Sequence, residues 1–129
     1  MQLPPQRLRL EGKVAIVTGA GSSGPGFGTG KATSILFAQE GAKVLLVDRE
    51  VRAAEETLAT IREQGGEASV FEADVTSADD CQAMTAAAVE RYGALHVLFN
   101  NVGIGGPGTP ADVEEEVWDR VMSSNLTTA

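Results

Sequence analysis

Apolar and polar residues alternate along this chain in two rhythms. Short unbroken apolar runs are followed by stretches with helical spacing. Val14 to Thr18 is the first run and Lys43 to Asp48 the second, with Val44, Leu45, Leu46 and Val47 consecutive. Such runs suit strands buried on both faces of a parallel sheet. Ala68 to Ala73 and Leu95 to Asn100 predict two further strands. A first helix is expected from about Gly30 to Glu40, with Ala32, Ile35 and Leu36 on one face and Gly41 as its stop. A second is expected from about Glu50 to Gln64, burying Val51, Ala54, Leu58 and Ile61 and ending at Gly65-Gly66. Ser77 reads as the N-cap of a third, with Asp79 and Asp80 in its positive first turn. That helix runs to about Tyr92, burying Cys81, Met84 and Ala88, and Gly93 stops it. After a Gly- and Pro-rich loop, Val102 to Pro110, a fourth helix carries Val117, Trp118, Val121 and Met122, with Asp112 and Glu115 as a capping box.

The order βαβαβαβα implies a parallel sheet with helices on both faces. Right-handed crossovers leave a Rossmann-like, doubly wound α/β fold as the expected class, with strand order 3-2-1-4 and an end after the fourth helix. There is no internal repeat and no sign of a domain boundary. The whole chain, 1–129, reads as one partial dinucleotide-binding domain whose residues 1–12 form an N-terminal tail.

The connection between the first run and the first helix changes this picture from fold to chemistry. Gly19, Gly21, Gly24, Gly26 and Gly28 lie between Thr18 and the helix, and Gly30 stands at its start. An apolar strand, a glycine-rich turn and a helix start make a phosphate cradle. Two registers are open. Gly19, Gly21 and Gly24 match G-x-G-x-x-G literally, although Pro25 and further glycines then make a poor helix opening. The alternative, which the sequence favours, uses Thr18-Gly19 for the turn and Gly28-x-Gly30 for the helix start, with Ser22 to Phe27 as an extended loop. A P-loop fits badly, because Pro25 replaces its first glycine and Ala32 its magnesium-binding hydroxyl. A purely structural turn is the plain alternative to all three.

Three strand ends add candidate contacts. Asp48 ends the second strand 20 positions after Gly28 (48 − 28 = 20). An acid there can accept both hydroxyls of an adenosine ribose and repel a 2′-phosphate, which favours NAD over NADP. Neighbouring Arg49 could pair with a phosphate and weakens that preference a little. Asp74-Val75 ends the third strand, where a carboxylate and an amide could meet an adenine edge. Asn100-Asn101 ends the fourth, where the amides could touch a ribose or merely tie loops together. Ligands in such sheets bind at this carboxyl edge, where the strand order reverses.

Composition narrows the classes. A length of 129 residues suits one domain, and no run approaches the roughly 18 apolar residues of a membrane span. The net charge of −8 disfavours nucleic acid and anionic membranes as partners. The N-terminus lacks the apolar core of a secretory signal, and the single cysteine, Cys81, fits a cytoplasmic location. No cluster suggests a metal. His96, the lone histidine, reads as a strand-end residue rather than a general base.

Together, Thr18-Gly19-Ala20-Gly21, Gly28-Thr29-Gly30-Lys31, Val47-Asp48-Arg49, Asp74-Val75, Asn100-Asn101-Val102-Gly103 and Ser124-Asn125-Leu126 resemble the short-chain dehydrogenase/reductase family over Leu10 to Ala129. The resemblance implies a nicotinamide dinucleotide, NAD before NADP, and hydride transfer to or from a small carbonyl or alcohol. It implies coenzyme contacts from Thr18, Gly19, Gly28, Thr29, Gly30, Asp48, Arg49, Asp74, Val75, Asn101 and Gly103. Asn125 matches the asparagine of the catalytic tetrad, which supports a water in a proton relay. Family members commonly form homo-oligomers, and the full-length form is expected to do so.

Three departures qualify the match. The glycine loop is about five residues longer than the usual form, His96 and Val102 replace a more common Asp and Ala, and the chain ends at Ala129. The family's catalytic Ser and Tyr-x-x-x-Lys lie beyond that point, and Tyr92 is followed four positions on by His96 rather than Lys. The expectation is an inactive N-terminal half of an oxidoreductase. A non-catalytic dinucleotide-binding module and an interaction-only fragment are the other readings. The fourth strand, left at an edge, predicts marginal stability or aggregation for this polypeptide alone.

Overall fold

The computed structural model describes residues 8–24 and 26–129. Residues 1–7 of the expected tail lie outside them, as does Pro25, on which the comparison with a P-loop turned. Four strands form one parallel sheet: β1 (Val14–Thr18), β2 (Lys43–Asp48), β3 (Glu67–Glu72) and β4 (Val97–Phe99), in the order β3-β2-β1-β4. The helices between them are α1 (Thr29–Gln39), α2 (Val51–Glu63), α3 (Ala78–Tyr92) and α4 (Glu115–Met122), which widens into a π-helical turn, Ser123–Thr127. The expected class and strand order are those observed.

Alternation within the buried strands builds two cores. Val17, Val44, Leu46 and Ala68 face α1 and α2, where Ile35, Ala38, Ala54 and Ile61 close the layer. Val14, Ile16, Leu45 and Val47 face the other way, onto Met84, Ala87 and Ala88 of α3. Both faces of β1 and β2 are therefore apolar, which is why their sequences read as continuous runs. Ile16 pairs with Leu45 on one side and Leu98 on the other, so β1 is an inner strand of the sheet, as β2 is.

Several details differ from expectation. The buried face of α1 is Gly30, Ser34, Ile35 and Ala38, whereas Ala32 and Leu36 point outward. The small residues at 30, 34 and 38 form one i, i+4 row, which lets the helix lie close to its neighbours. In α2 the fully covered residues are Ala54, Thr57 and Ile61, with Leu58 and Val51 only partly covered. Cys81 is partly rather than fully buried. β4 is shorter than Leu95 to Asn100, and β3 runs from Glu67 to Glu72. The capping box at Asp112 and Glu115 does not form. Glu114 is the N-cap of α4, and the Asp112 carboxylate instead accepts the backbone and hydroxyl hydrogens of Thr109 in the preceding turn.

The α3 signals hold: Ser77 caps Asp80 N through its side chain, and Gly93 ends the helix at φ +85°. The described part of the tail docks on the end of α1. Arg9 pairs with Glu40 at 3.0 Å, and Leu10 N donates to Glu40 O. No helix among the described residues is long and apolar enough to cross a membrane.

Candidate nucleotide-binding site

β1 delivers the glycine loop to the carboxyl edge of the sheet, between the ends of β2 and β4. Thr18 is buried; its Oγ1 donates to Phe99 O and accepts the Asn101 N–H, joining the ends of β1 and β4. Gly19 turns the chain at φ +62°, a conformation that side chains oppose. Its carbonyl receives Asn101 Nδ2 at 3.3 Å and lies directly against Gly30. A Cβ on Gly30 would stand 1.9 Å from that oxygen, so the start of α1 can reach the loop only without a side chain.

The helix opens at Thr29 with Gly28 as its N-cap, so the literal G-x-G-x-x-G register is not the one adopted. Ser22 Oγ accepts the Gly28 N–H at 2.9 Å and closes the loop at its neck. Without Ser23 to Phe27 the remaining residues read Thr18-Gly19-Ala20-Gly21-Ser22-Gly28-Thr29-Gly30, the family spacing T-G-x-x-x-G-x-G. The extra length is thus an insertion outside a frame of ordinary dimensions. Phe27 on that insertion is 70% exposed, and Lys31 Nζ lies 4.9 Å from its ring centre.

The start of α1 differs from those of α3 and α4 in a way that bears on ligand charge. Ser77 caps α3, which has Asp79 and Asp80 in its first turn, and α4 begins with Glu115 and Glu116. Like α2, whose N-cap is however the acid Glu50, α1 has no side-chain cap and no acid in its first turn among the described residues. Its first amides and its dipole are therefore free to hold an anion. That donor set fits the diphosphate of a dinucleotide.

The other candidates line the same edge. Asp48 Oδ2 accepts the Gly21 N–H and Oδ1 accepts the Glu50 N–H, both at 2.9 Å. Each carboxylate oxygen keeps a further lone pair for a hydroxyl. Arg49 is exposed beside it. Asp74 Oδ1 accepts both the hydroxyl and the amide hydrogen of Thr76. Those bonds, the hydroxyl's first, hold the Asp74 carboxyl below the ordinary aspartate range, with a small contribution from the Arg49 charge. Val75 is buried, and its carbonyl accepts the Cys81 thiol.

Asn125 sits farther along. Its Oδ1 accepts the Ile104 N–H at 2.7 Å and its Nδ2 donates to Ile104 O at 2.8 Å. The side chain thus fastens the loop after β4 to the widened turn, with Gly103 beside it. Each polar atom of that amide makes one backbone contact, which leaves one lone pair and one N–H for a further partner.

Two residues set aside on sequence grounds lie away from this edge. His96 precedes β4 at the opposite end of the sheet, where its Nδ1 accepts the Val14 N–H. Tyr92 is hydrogen-bonded to Ser69 of β3 at 2.6 Å, and burial pushes its phenol above the ordinary tyrosine value. Sequence reasoning missed Thr57, Ser22 and Ile104 as contributors to the site's geometry. Thr57 alone gave a signal: a polar residue on the buried stripe of α2 needs a partner.

The family model described as short chain dehydrogenase matches residues 13–129. The chain belongs to the short-chain dehydrogenase family. Cyclohexanol dehydrogenase of Acinetobacter sp. (strain SE19) is 38% identical over 119 residues, covering 92% of this chain and 45% of that protein. The 3-oxoacyl-[acyl-carrier-protein] reductase FabG of Thermotoga maritima is 37% identical over 119 residues, covering 92% of this chain and 46% of its own. Among solved structures, hydroxysteroid dehydrogenase from Escherichia coli superposes with a TM-score of 0.84 at 36% identity, covering 95% of this chain and 49% of that one. A short chain dehydrogenase from Mycobacterium smegmatis gives a TM-score of 0.85 at 37% identity, covering 94% and 48%. The chain therefore spans about half the length of the short-chain dehydrogenases it matches.

Proposed function

We propose that this chain carries the coenzyme-binding half of an NAD-dependent oxidoreductase that acts on a small carbonyl or alcohol. The observation that carries the reading is the convergence at one sheet edge of an uncapped, acid-free helix start and a carboxylate at the end of β2. The first amides of α1, at Thr29, Gly30 and Lys31, would hold the diphosphate. Asp48 would accept the hydroxyls of the adenosine ribose through its remaining lone pairs, and its charge would disfavour a 2′-phosphate. Asp74 and Val75 would border the adenine, and Arg49 would lie at the rim. Asn101 and Gly103 would border the second ribose, with Thr18 and Asn101 bracing the loop beneath it.

When bound, a nicotinamide dinucleotide supplies or accepts the hydride. The accompanying proton needs a separate donor. Tyr92 does not fit that task, since its hydroxyl is paired with Ser69 away from this edge and burial makes it a weaker acid. The Ser and Tyr-x-x-x-Lys expected from the family would supply it in the complete enzyme. Lysine beside such a phenol lowers a pKa of about 10 toward neutrality. Asn125 would act as a positioning residue. Its amide is anchored to Ile104 by one contact at each polar atom, and the remaining N–H and lone pair would be open to a relay water.

Fluorescence titration with NADH and NADPH tests the proposal. Binding with NADH preferred supports it, and binding of neither overturns it. NADH binding without turnover in the complete product would instead favour a non-catalytic dinucleotide-binding module.

A further inference from the structure

The first half of the glycine loop is fastened to α2 as well as to the sheet. Thr57 is completely buried, and its Oγ1 donates to Ala20 O at 2.8 Å. Ala20 is also fully buried, and its N–H donates to Val47 O at 3.1 Å. Gly21 follows, with its N–H on Asp48. A Cβ on Gly21 would lie 2.4 Å from Ala53 Cβ, so the loop rests directly on the first turn of α2. Ala53 and Thr57 are four residues apart and present one face to the loop. Ala20-Gly21 is therefore fixed by β2, by the acid ending β2 and by the helix that follows.

We infer that Thr57 is a positioning residue for coenzyme binding, its hydroxyl fixing the Ala20 carbonyl so that Gly21 presents its amide to Asp48. The inference rests on the proposed dinucleotide site and names a residue outside it. Without the hydroxyl, a buried carbonyl loses its partner. The Ala20-Gly21 peptide then relaxes, and the Asp48 carboxylate loses the amide that orients it. The diphosphate loop and the ribose acid are thereby coupled through one hydroxyl on a helix that need not touch the ligand.

The test compares Thr57→Val, which keeps the shape, with Thr57→Ser, which keeps the hydroxyl, in NADH titrations well below each variant's melting temperature. Thr57→Val should weaken NADH about tenfold, a change of about 1.4 kcal/mol. Thr57→Ser should return the affinity to within about twofold of the wild type. Combining Thr57→Val with Asp48→Ala should give less than the product of the single effects, since both act on the Gly21 contact. A purely structural threonine would lower the melting temperature without that coupling. Thr57→Ala, with its better helix propensity, stands in if the valine variant does not fold. NADH affinity unchanged in Thr57→Val overturns the inference, as does multiplicative behaviour with Asp48→Ala. So does failure of both valine and alanine variants to fold while serine folds, because the hydroxyl would then serve folding alone. A wild type that binds no NADH refutes the dinucleotide site itself, an outcome distinct from these.

Discussion

Replacing Gly30 by alanine should separate the loop from the helix it leads into. The added Cβ would stand 1.9 Å from Gly19 O and 2.7 Å from Asn101 Nδ2. Ordinary contact begins at 3.4 Å, so the carbonyl must retreat by about 1.5 Å (3.4 − 1.9 = 1.5). It is poorly free to move. Gly19 is held in its turn, and the next residue is tied to Val47 and Thr57. Overpacking of this kind costs roughly 1–3 kcal/mol. Alanine recovers part of about 1 kcal/mol in helix propensity, and only part, because position 30 lies in the first turn. A net loss of about 2 kcal/mol lowers the melting temperature by roughly 8 °C in a domain of this size. The retreat also breaks the Asn101 contact, so NADH affinity should fall with it. Gly24→Ala is the control. Among the described residues no atom beyond its chain neighbours lies within 4 Å of its added Cβ, and its φ is not positive, so stability should hold or rise slightly. Thermal melts by circular dichroism in dilute solution, with NADH titrations alongside, provide both readouts. If Gly30→Ala melts within about 2 °C of the wild type, the claimed contact between loop and helix is wrong.

Other outcomes follow from the same geometry. Tyr92 is the single tyrosine, so its phenolate absorbance can be followed alone; its midpoint should lie above the ordinary value of about 10 because burial disfavours the anion. The stability it contributes is full below its unfolded value and is lost as pH rises through the folded one, a dependence that Tyr92→Phe should remove. Asp74 has the opposite sign: its contribution is present above its unfolded value and is lost as pH falls through the depressed folded one. Thr76→Val should raise the Asp74 midpoint in a carboxylate NMR titration, and no shift would contradict the hydrogen-bond assignment. His96→Ala should cost about 1 kcal/mol through the Val14 amide while leaving NADH affinity unchanged, since it lies at the opposite end of the sheet. Leu98, Trp118 and Leu126 are 48%, 51% and 63% exposed, so this polypeptide alone should self-associate with rising concentration. A monodisperse monomer by light scattering would contradict that.

The sequence made the sheet legible because β1 and β2 are apolar on both faces. Glycines at 41, 65 and 93 marked where helices stop, and all three adopt positive φ. The outward turn of Leu36 was not legible. Helical spacing showed an apolar face, but the row of small residues at 30, 34 and 38 decides which side can approach the sheet. The Asp112 capping box failed for a similar reason, because Thr109 offered that carboxylate two closer donors. At the site, the glycine register was readable from the crowding of glycines against a helix start. The contacts of Asn101, Ser22 and Thr57 were not, because each depends on which backbone atoms the folded loop brings within reach.

Calorimetric titration of NADH and NADPH into the protein and its Asp48→Ala variant addresses the central claim most directly. The wild type should bind NADH at least about tenfold more tightly than NADPH, and the variant should lose most of that preference. No heat with either nucleotide, or the same ratio in both proteins, would contradict the assignment of this sheet edge to an unphosphorylated dinucleotide.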